Sequence, residues 1–227
     1  MNPVPVPVTA ASGIVVDTNT KLSASEAKAM RACGVAAVCR YGPLPNNGAG
    51  GDLDATEIAS ITGEGIVVWI IQHPRDPKWN TLSAATGAAD AAHILAHCQA
   101  IGYAPGATVG LDMEGVKDPG PSAAAHAKAW VQALLAAGYR ALVYIGYCPG
   151  MVAMDLEALA ILGDVEFWSD FEALTAHPAP PQGWALHQQS QTTLAGIGVD
   201  RDTVLRDGVI YGMGAAASDS NPPPSAA

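Results

Sequence analysis

Six short apolar, β-branched runs recur along this chain with helical segments between them, and that alternation leaves few folds open. The runs are residues 13–19 (GIVVDTN), 35–42 (VAAVCRYG), 66–74 (IVVWIIQHP), 107–115 (ATVGLDMEG), 139–147 (YRALVYIGY) and 165–171 (VEFWSDF). Their apolar stretches are continuous rather than alternating, as expected of parallel strands covered on both faces.

The intervening segments carry helix signals. Residues 23–34 open on Ser23 as N-cap, with Glu26 three later, and stop at Gly34. Residues 54–65 open on Asp54, and Glu57 is expected to complete a capping box. A long Ala-rich helix is predicted over about 83–102, another over 121–138, and a shorter one over 151–162. Residues 184–191 and 196–204 read as two further strands. Eight βα-type units in 227 residues predict an α/β fold, a compact (β/α)8 TIM-like barrel with its last helices short or missing. A doubly wound open sheet is the alternative. No GxGxxG follows the first strand and no P-loop is present, so a nucleotide-binding version has little support.

The ends differ in composition. Residues 1–12 read as an extended Pro/Val tail, residues 13–213 as the barrel, and residues 214–227 as a disordered Pro/Ser/Ala tail. The start lacks the basic and apolar regions of a secretory signal, and no apolar run approaches the roughly 18 residues of a membrane span. Synthesis in the cytoplasm is expected. Action in the periplasm or outside would then follow export, lysis or injection by a delivery or secretion machinery. The net charge of −10 argues against nucleic acid and gives no help at an anionic membrane. The four cysteines, Cys33, Cys39, Cys98 and Cys148, form no CxxC pair and read as reduced structural thiols rather than a zinc site. His93 and His97 share a helix face without the glutamate of HExxH, so they read as surface or packed histidines. PNNGAGG, residues 45–51, reads as a loop that either lids a cleft or connects.

The chemistry gathers at strand ends. Within TVGLDMEG, Val109, Leu111 and Met113 share one face, and Gly110, Asp112 and Glu114 share the other. The apolar set suits the helical layer, so the acids are expected to point into the barrel near its C-terminal end, where barrel enzymes keep their active sites. Asp17 ends the first strand, Arg40 and Tyr41 the second, and His73 the third. Tyr144 lies on the fifth, Trp168 on the sixth, His187 and Gln188 on the seventh, and Asp200 and Asp202 on the eighth. Neighbouring carboxyls push their pKa values apart, so one can stay protonated while another ionises. Aromatic rings beside carboxylates and amides suit a sugar, with its apolar faces and hydroxyl edges.

The strand-one Asp17, the strand-four DMEG and the strand-eight GVDRD, with CRYG and HQQSQ, together resemble the glycoside hydrolase family 25 lysozymes. The resemblance is closer to their relatives, the bacterial glycoside-hydrolase-like barrels, and spans about residues 13–212. It implies a muramidase acting on peptidoglycan or a related amino-sugar polymer, and the lack of a secretory signal fits a phage-type endolysin or an injected effector. Glu114 would be the general acid. Asp112 would orient the 2-acetamido group or stabilise the transition state. Asp17 and Asp200 would hold substrate and tune the acid. Tyr144, Trp168 and Gln188 match the family's tyrosine, tryptophan and glutamine at those strands, and Arg40, Tyr41, His73, His187 and Asp202 are expected to contact substrate from their own strand ends. Departures are His187 and Gln189, where the family's Trp-Gln-Tyr segment has aromatics, and Asp202 in place of an asparagine. Residues two apart on a strand lie about 6.6 Å apart along it, compatible with inversion or with retention assisted by the acetamido group. No cofactor or metal is expected. Two alternatives stay open: a catalytically inactive glycan-binding barrel, and a metal-dependent barrel hydrolase using the carboxylate ring.

Overall fold

The computed structural model describes residues 3–44, 51–75, 82–116, 121–146, 153–170 and 179–215. In chain order these form β1 (Val4–Pro7), β2 (Ile14–Thr18), α1 (Ala24–Ala32), β3 (Val35–Gly42), α2 (Ala55–Gly63) and β4 (Val67–Gln72). Then come α3 (Ala84–Ala100), β5 (Thr108–Asp112), α4 (Pro121–Ala136), β6 (Arg140–Tyr144), α5 (Ala153–Ala160) and β7 (Val165–Ser169). The chain finishes with β8 (Leu186–Leu194), β9 (Ile197–Val204) and β10 (Tyr211–Gly214). The loop expected over 45–51, except Gly51, lies outside the described residues, as do Cys148 and most of the C-terminal tail.

Strands β2 to β9 close a barrel. β2 to β8 pair in parallel from neighbour to neighbour, and β9 joins β8 to β2. β9 runs antiparallel to both, so the expectation of a last βα unit is corrected. Leu194 pairs with Ile197 across a two-residue turn, Ala195-Gly196, in which both residues have positive φ (53° and 82°). That is the tight hairpin geometry that matches strand twist. In the N-terminal segment Val4–Pro7 form a strand and Ala10–Ser12 a short 3-10 turn. β1 pairs with β10, which docks antiparallel on β4. Val8 and Ile210 are bonded to each other (N–H to O, 2.8 Å) and join the barrel interior.

Strand alternation sorts two apolar layers. Val15, Ala37, Cys39, Trp69, Ile71, Leu142, Tyr144, Trp168, Leu186 and Val204 fill the interior. Val109, Leu111 and Met113 face the helices, as their spacing predicted. Gly110 faces inward, where a Cβ would lie 2.8 Å from Ile71 Cγ1, so glycine makes room for a packed interior.

The helices are fixed at their starts. Ser23 accepts the Glu26 N–H, and the Glu26 carboxylate accepts the Ser23 N–H at 2.7 Å, a reciprocal capping box. Asp54 likewise accepts the Glu57 N–H at 2.8 Å. The expected reciprocal bond from Glu57 is not made, because its carboxylate turns inward to Arg40 Nε and the Leu22 N–H, both at 2.7 Å. None of the described helices is long and apolar enough to cross a membrane.

Candidate active site

Asp112 is the last residue of β5 and is 1% exposed. Its Oδ1 accepts the backbone N–H of Glu114 at 2.8 Å, which ties the turn back onto the strand. Glu114 itself is exposed. The two acids therefore differ in access: one is sealed in the barrel and the other faces solvent. Gly146 (φ 49°) allows this arrangement, since a Cβ there would lie 3.1 Å from both Glu114 Cβ and Tyr144 Cε1. Burial pushes the Asp112 pKa well above the usual range. The Glu114 N–H opposes that shift, and the charges of Glu114 and Asp17 add to it.

Asp17 enters from β2. Its pKa is pushed up to about 7, mainly by burial, against a lowering hydrogen bond from Gln188 and with help from Asp200 and Glu114. That bond, Gln188 Nε2–H to Asp17 Oδ2, is 2.9 Å. Gln188 Oε1 in turn accepts the Tyr144 hydroxyl at 2.6 Å. Asp17, Gln188 and Tyr144 thus form one chain of hydrogen bonds across β2, β8 and β6. The Tyr144 ring lies 4.7 Å from Trp168, tilted by 51°.

The antiparallel sense of β9 decides where its two acids sit. Asp200 pairs with Asp17 at the mouth, and its pKa is raised by burial. Asp202 pairs with Val15, one inward position deeper. Both Asp202 oxygens are buried with no hydrogen-bond partner of normal geometry among the described residues, and so is the Trp168 indole nitrogen. Burial, then the charges of Asp17 and Asp200, hold the Asp202 carboxyl well above its ordinary pKa, against a lowering interaction with the Trp168 indole N–H. Asp202 lies in the floor of the site and is too enclosed for the substrate contact expected of it.

Tyr41 and His73 stand at the mouth. Their rings stack at 4.7 Å and 28°. Two other expected contacts are corrected. Arg40 is fully buried and faces the helical layer, bonded to Glu57, to the Gly51 carbonyl at 2.6 Å and to the Thr18 carbonyl. His187 lies on the face of β8 opposite Gln188, with its Nδ1 3.3 Å from Ser169 Oγ. Three neighbours escaped the sequence reading. Trp69 fills the interior, with its indole nitrogen unpartnered among the described residues. Asp52 reaches His73, with 3.1 Å between Oδ1 and Nε2. Gln191 pairs with Asp200 after an irregularity that sets residues 189 and 190 of β8 against 201 alone. Strand periodicity would have found Trp69. Nothing local marks the other two.

A cavity of about 110 Å³ lies between Asp17, Tyr41, Gln191 and Asp200. Among the described residues no three His, Cys, Asp or Glu side chains converge as a metal-binding group. What the site offers is an accessible carboxyl beside a buried one, two more acids opposite, and aromatic rings between.

A family model described as "Rv2525c-like, glycoside hydrolase-like domain" matches residues 28–204. No functionally curated protein matches the chain significantly. Solved structures share the fold. The Mycobacterium tuberculosis Tat-secreted protein Rv2525c, in complex with L-tartrate, is 18% identical with a TM-score of 0.63, over 86% of this chain and 96% of that one. An uncharacterized B. stearothermophilus protein is 18% identical with a TM-score of 0.64, over 85% of this chain and 96% of that one. The modular autolysin LytC of Streptococcus pneumoniae, in complex with a synthetic peptidoglycan ligand, is 12% identical with a TM-score of 0.58, over 84% of this chain and 46% of that one.

Proposed function

This chain belongs to the Rv2525c-like, glycoside hydrolase-like domain family, and from that premise we propose that it hydrolyses peptidoglycan or a related amino-sugar polymer, as a muramidase does. The observation that carries the reading is the pair at the end of β5: an exposed Glu114 whose backbone is clamped by a buried Asp112. Only Glu114 of the two is open to a leaving-group oxygen, so it takes the role of general acid. Asp112 holds the turn that presents Glu114. Asp17, linked through Gln188 to Tyr144, faces them from β2 and titrates where an acid–base group works best. Asp200 lies beside it at the rim. The autolysin of similar fold, in complex with a synthetic peptidoglycan ligand, supports a glycan partner. The Tat-secreted relative supports action outside the cytoplasm.

The non-catalytic alternative rested on altered aromatics in HQQ. His187 lies on the face of β8 opposite Gln188, against Ser169, which weakens that argument for the half of the departure it carries. The test is release of reducing ends from purified peptidoglycan, with and without a chelator. Release in both arms supports the glycosidase. Loss with chelator favours the metal hydrolase, and binding without release favours the glycan-binding barrel.

A further inference from the structure

In the helical layer behind the mouth lies a group of polar side chains that the proposed chemistry does not use. Asp90 of α3, His126 and Trp130 of α4, and Gln72 at the end of β4 are all buried. Asp90 takes Arg75 in a two-pronged pair, with Nε donating to Oδ2 at 2.6 Å and Nη2 donating to Oδ1. The Arg75 side chain is 27% exposed, so the group reaches solvent there. His126 Nε2 lies 3.6 Å from Asp90 Oδ2. Burial pushes the His126 pKa down to about 4, opposed by the Asp90 charge and helped by Arg75. Near neutral pH, therefore, Arg75 is the cation that Asp90 holds. Gln72 bonds with both ends of its amide. Its Nε2 donates to the Asp90 main-chain carbonyl at 3.0 Å and to the Pro43 carbonyl at 3.1 Å, and its Oε1 accepts the Trp130 indole N–H at 2.7 Å. Gly87 lets α3 and α4 close around this group, since a Cβ there would lie 2.1 Å from the His126 carbonyl oxygen.

A buried ion pair is often no more stabilising than apolar side chains of its volume, so stability alone does not call for one here. What hydrogen-bonded polar groups add is direction. On the barrel side these bonds end at Pro43, Gln72 and Arg75. Pro43 follows Tyr41 by two residues at the exit of β3, and Gln72 and Arg75 bracket His73 at the exit of β4. The His73 N–H donates to the Gly42 carbonyl at 3.0 Å, which joins the two exits. Tyr41 and His73, stacked at 4.7 Å, thus stand on backbone that is held from behind.

We propose that Asp90 is a positioning residue for the mouth: through Arg75 and Gln72 it fixes the exits of β3 and β4, and so the Tyr41–His73 stack beside Asp17. Its effect on cleavage rests on the glycosidase reading, and its effect on the stack does not.

The first readout needs no substrate. It is the titration of the His73 imidazole by NMR, with the signal assigned by its loss in His73→Asn. Burial holds this group below its ordinary value, with Asp52 raising it and Arg40 lowering it. Arg75→Lys keeps the charge but not the fork, and Trp130→Phe keeps an aromatic ring but not the N–H. Both should move the His73 midpoint up toward about 6.5, as the loosened ring meets water. Asp90→Asn keeps one acceptor oxygen and should move it less. Leu134→Ala cuts the α4 core near the helix's other end and should leave the midpoint in place, whatever stability it loses. The second readout is KM and kcat on soluble peptidoglycan strands. Arg75→Lys should raise KM about tenfold, the worth of one polar contact, with kcat near wild type. A His73 midpoint unmoved in both Arg75→Lys and Trp130→Phe overturns the positioning role. An equal move in Leu134→Ala overturns it too, because the cause would then be general loosening. A moved midpoint with an unchanged KM supports the hold on the stack and overturns its bearing on substrate. If wild type cleaves no strand, the glycosidase reading falls, and the His73 midpoint alone decides the positioning.

Discussion

Asp17 is the residue whose chemistry and stability are most tightly coupled. Its pKa rises from 3.8 to about 7 on folding, chiefly through burial. The folded protein therefore binds more protons than the unfolded chain between about pH 4 and pH 7, and the stability tied to this group falls as pH climbs through that window. Asp17→Asn removes the cost and keeps an acceptor for Gln188. The variant should equal wild type near pH 4 and exceed it at pH 8 by up to roughly 4 kcal/mol, measured by urea unfolding at both pH values. A difference that does not change with pH would contradict the assignment. Which residues face inward was only partly legible at this scale. The acid pair of DMEG sits among apolar neighbours, so alternation placed Asp112 correctly. Arg40–Tyr41 and His187–Gln188 are adjacent polar pairs, and only one member of each can face the axis. Tyr41 and Gln188 took the inward positions. Arg40 went outward to meet Glu57, a partner 17 residues away whose role as a cap looked complete in the sequence.

Two elements carry most of the difference between expectation and structure. The first is the β3–α2 contact through Arg40 and Glu57, an ion pair with both side chains at 0% exposure. Breaking such a pair from one side leaves a buried charge alone. Arg40→Met should cost about 3–5 kcal/mol in urea unfolding, and Arg40→Met with Glu57→Met should recover much of it. Additive losses in the double variant would show that the pair is not the unit that matters. The second element is the β8–β9 hairpin. Parallel neighbours need a crossover of a dozen or more residues, and residues 192–195 between the two predicted strands cannot supply one. The antiparallel sense was therefore available in the sequence from connection length, although the βα rhythm of the first six strands obscured it. Reversal of β9 is what brings Asp200, near the start of its strand, to the same rim as Asp17, near the end of its own.

For the molecule as a whole, the barrel class was legible because six apolar runs at βα spacing have few other solutions. Its closure at the far end was not. A segment with proline at 3, 5 and 7 reads as a tail, yet proline is tolerated on an edge strand whose outward positions need no donor. β1 and β10 form a clasp that carries Val8 and Ile210 into the interior, opposite the mouth. Removal of residues 1–8 should lower unfolding free energy by at least about 2 kcal/mol, the value of one buried valine plus lost pairing. Cleavage per folded molecule should be unchanged, because no mouth residue is touched. A deletion that abolished cleavage while the barrel stayed folded would mean the two ends are coupled.

The central claim is that the mouth acids hydrolyse a glycan with Glu114 as the proton donor. The most direct measurement is digestion of purified peptidoglycan by wild type and by Glu114→Gln, with products read by mass spectrometry. Fragments ending in reducing muramic acid from wild type, and none above background from the variant, are the expected result. Equal product from both would place the acid elsewhere, and no product from either would contradict the muramidase account for that wall.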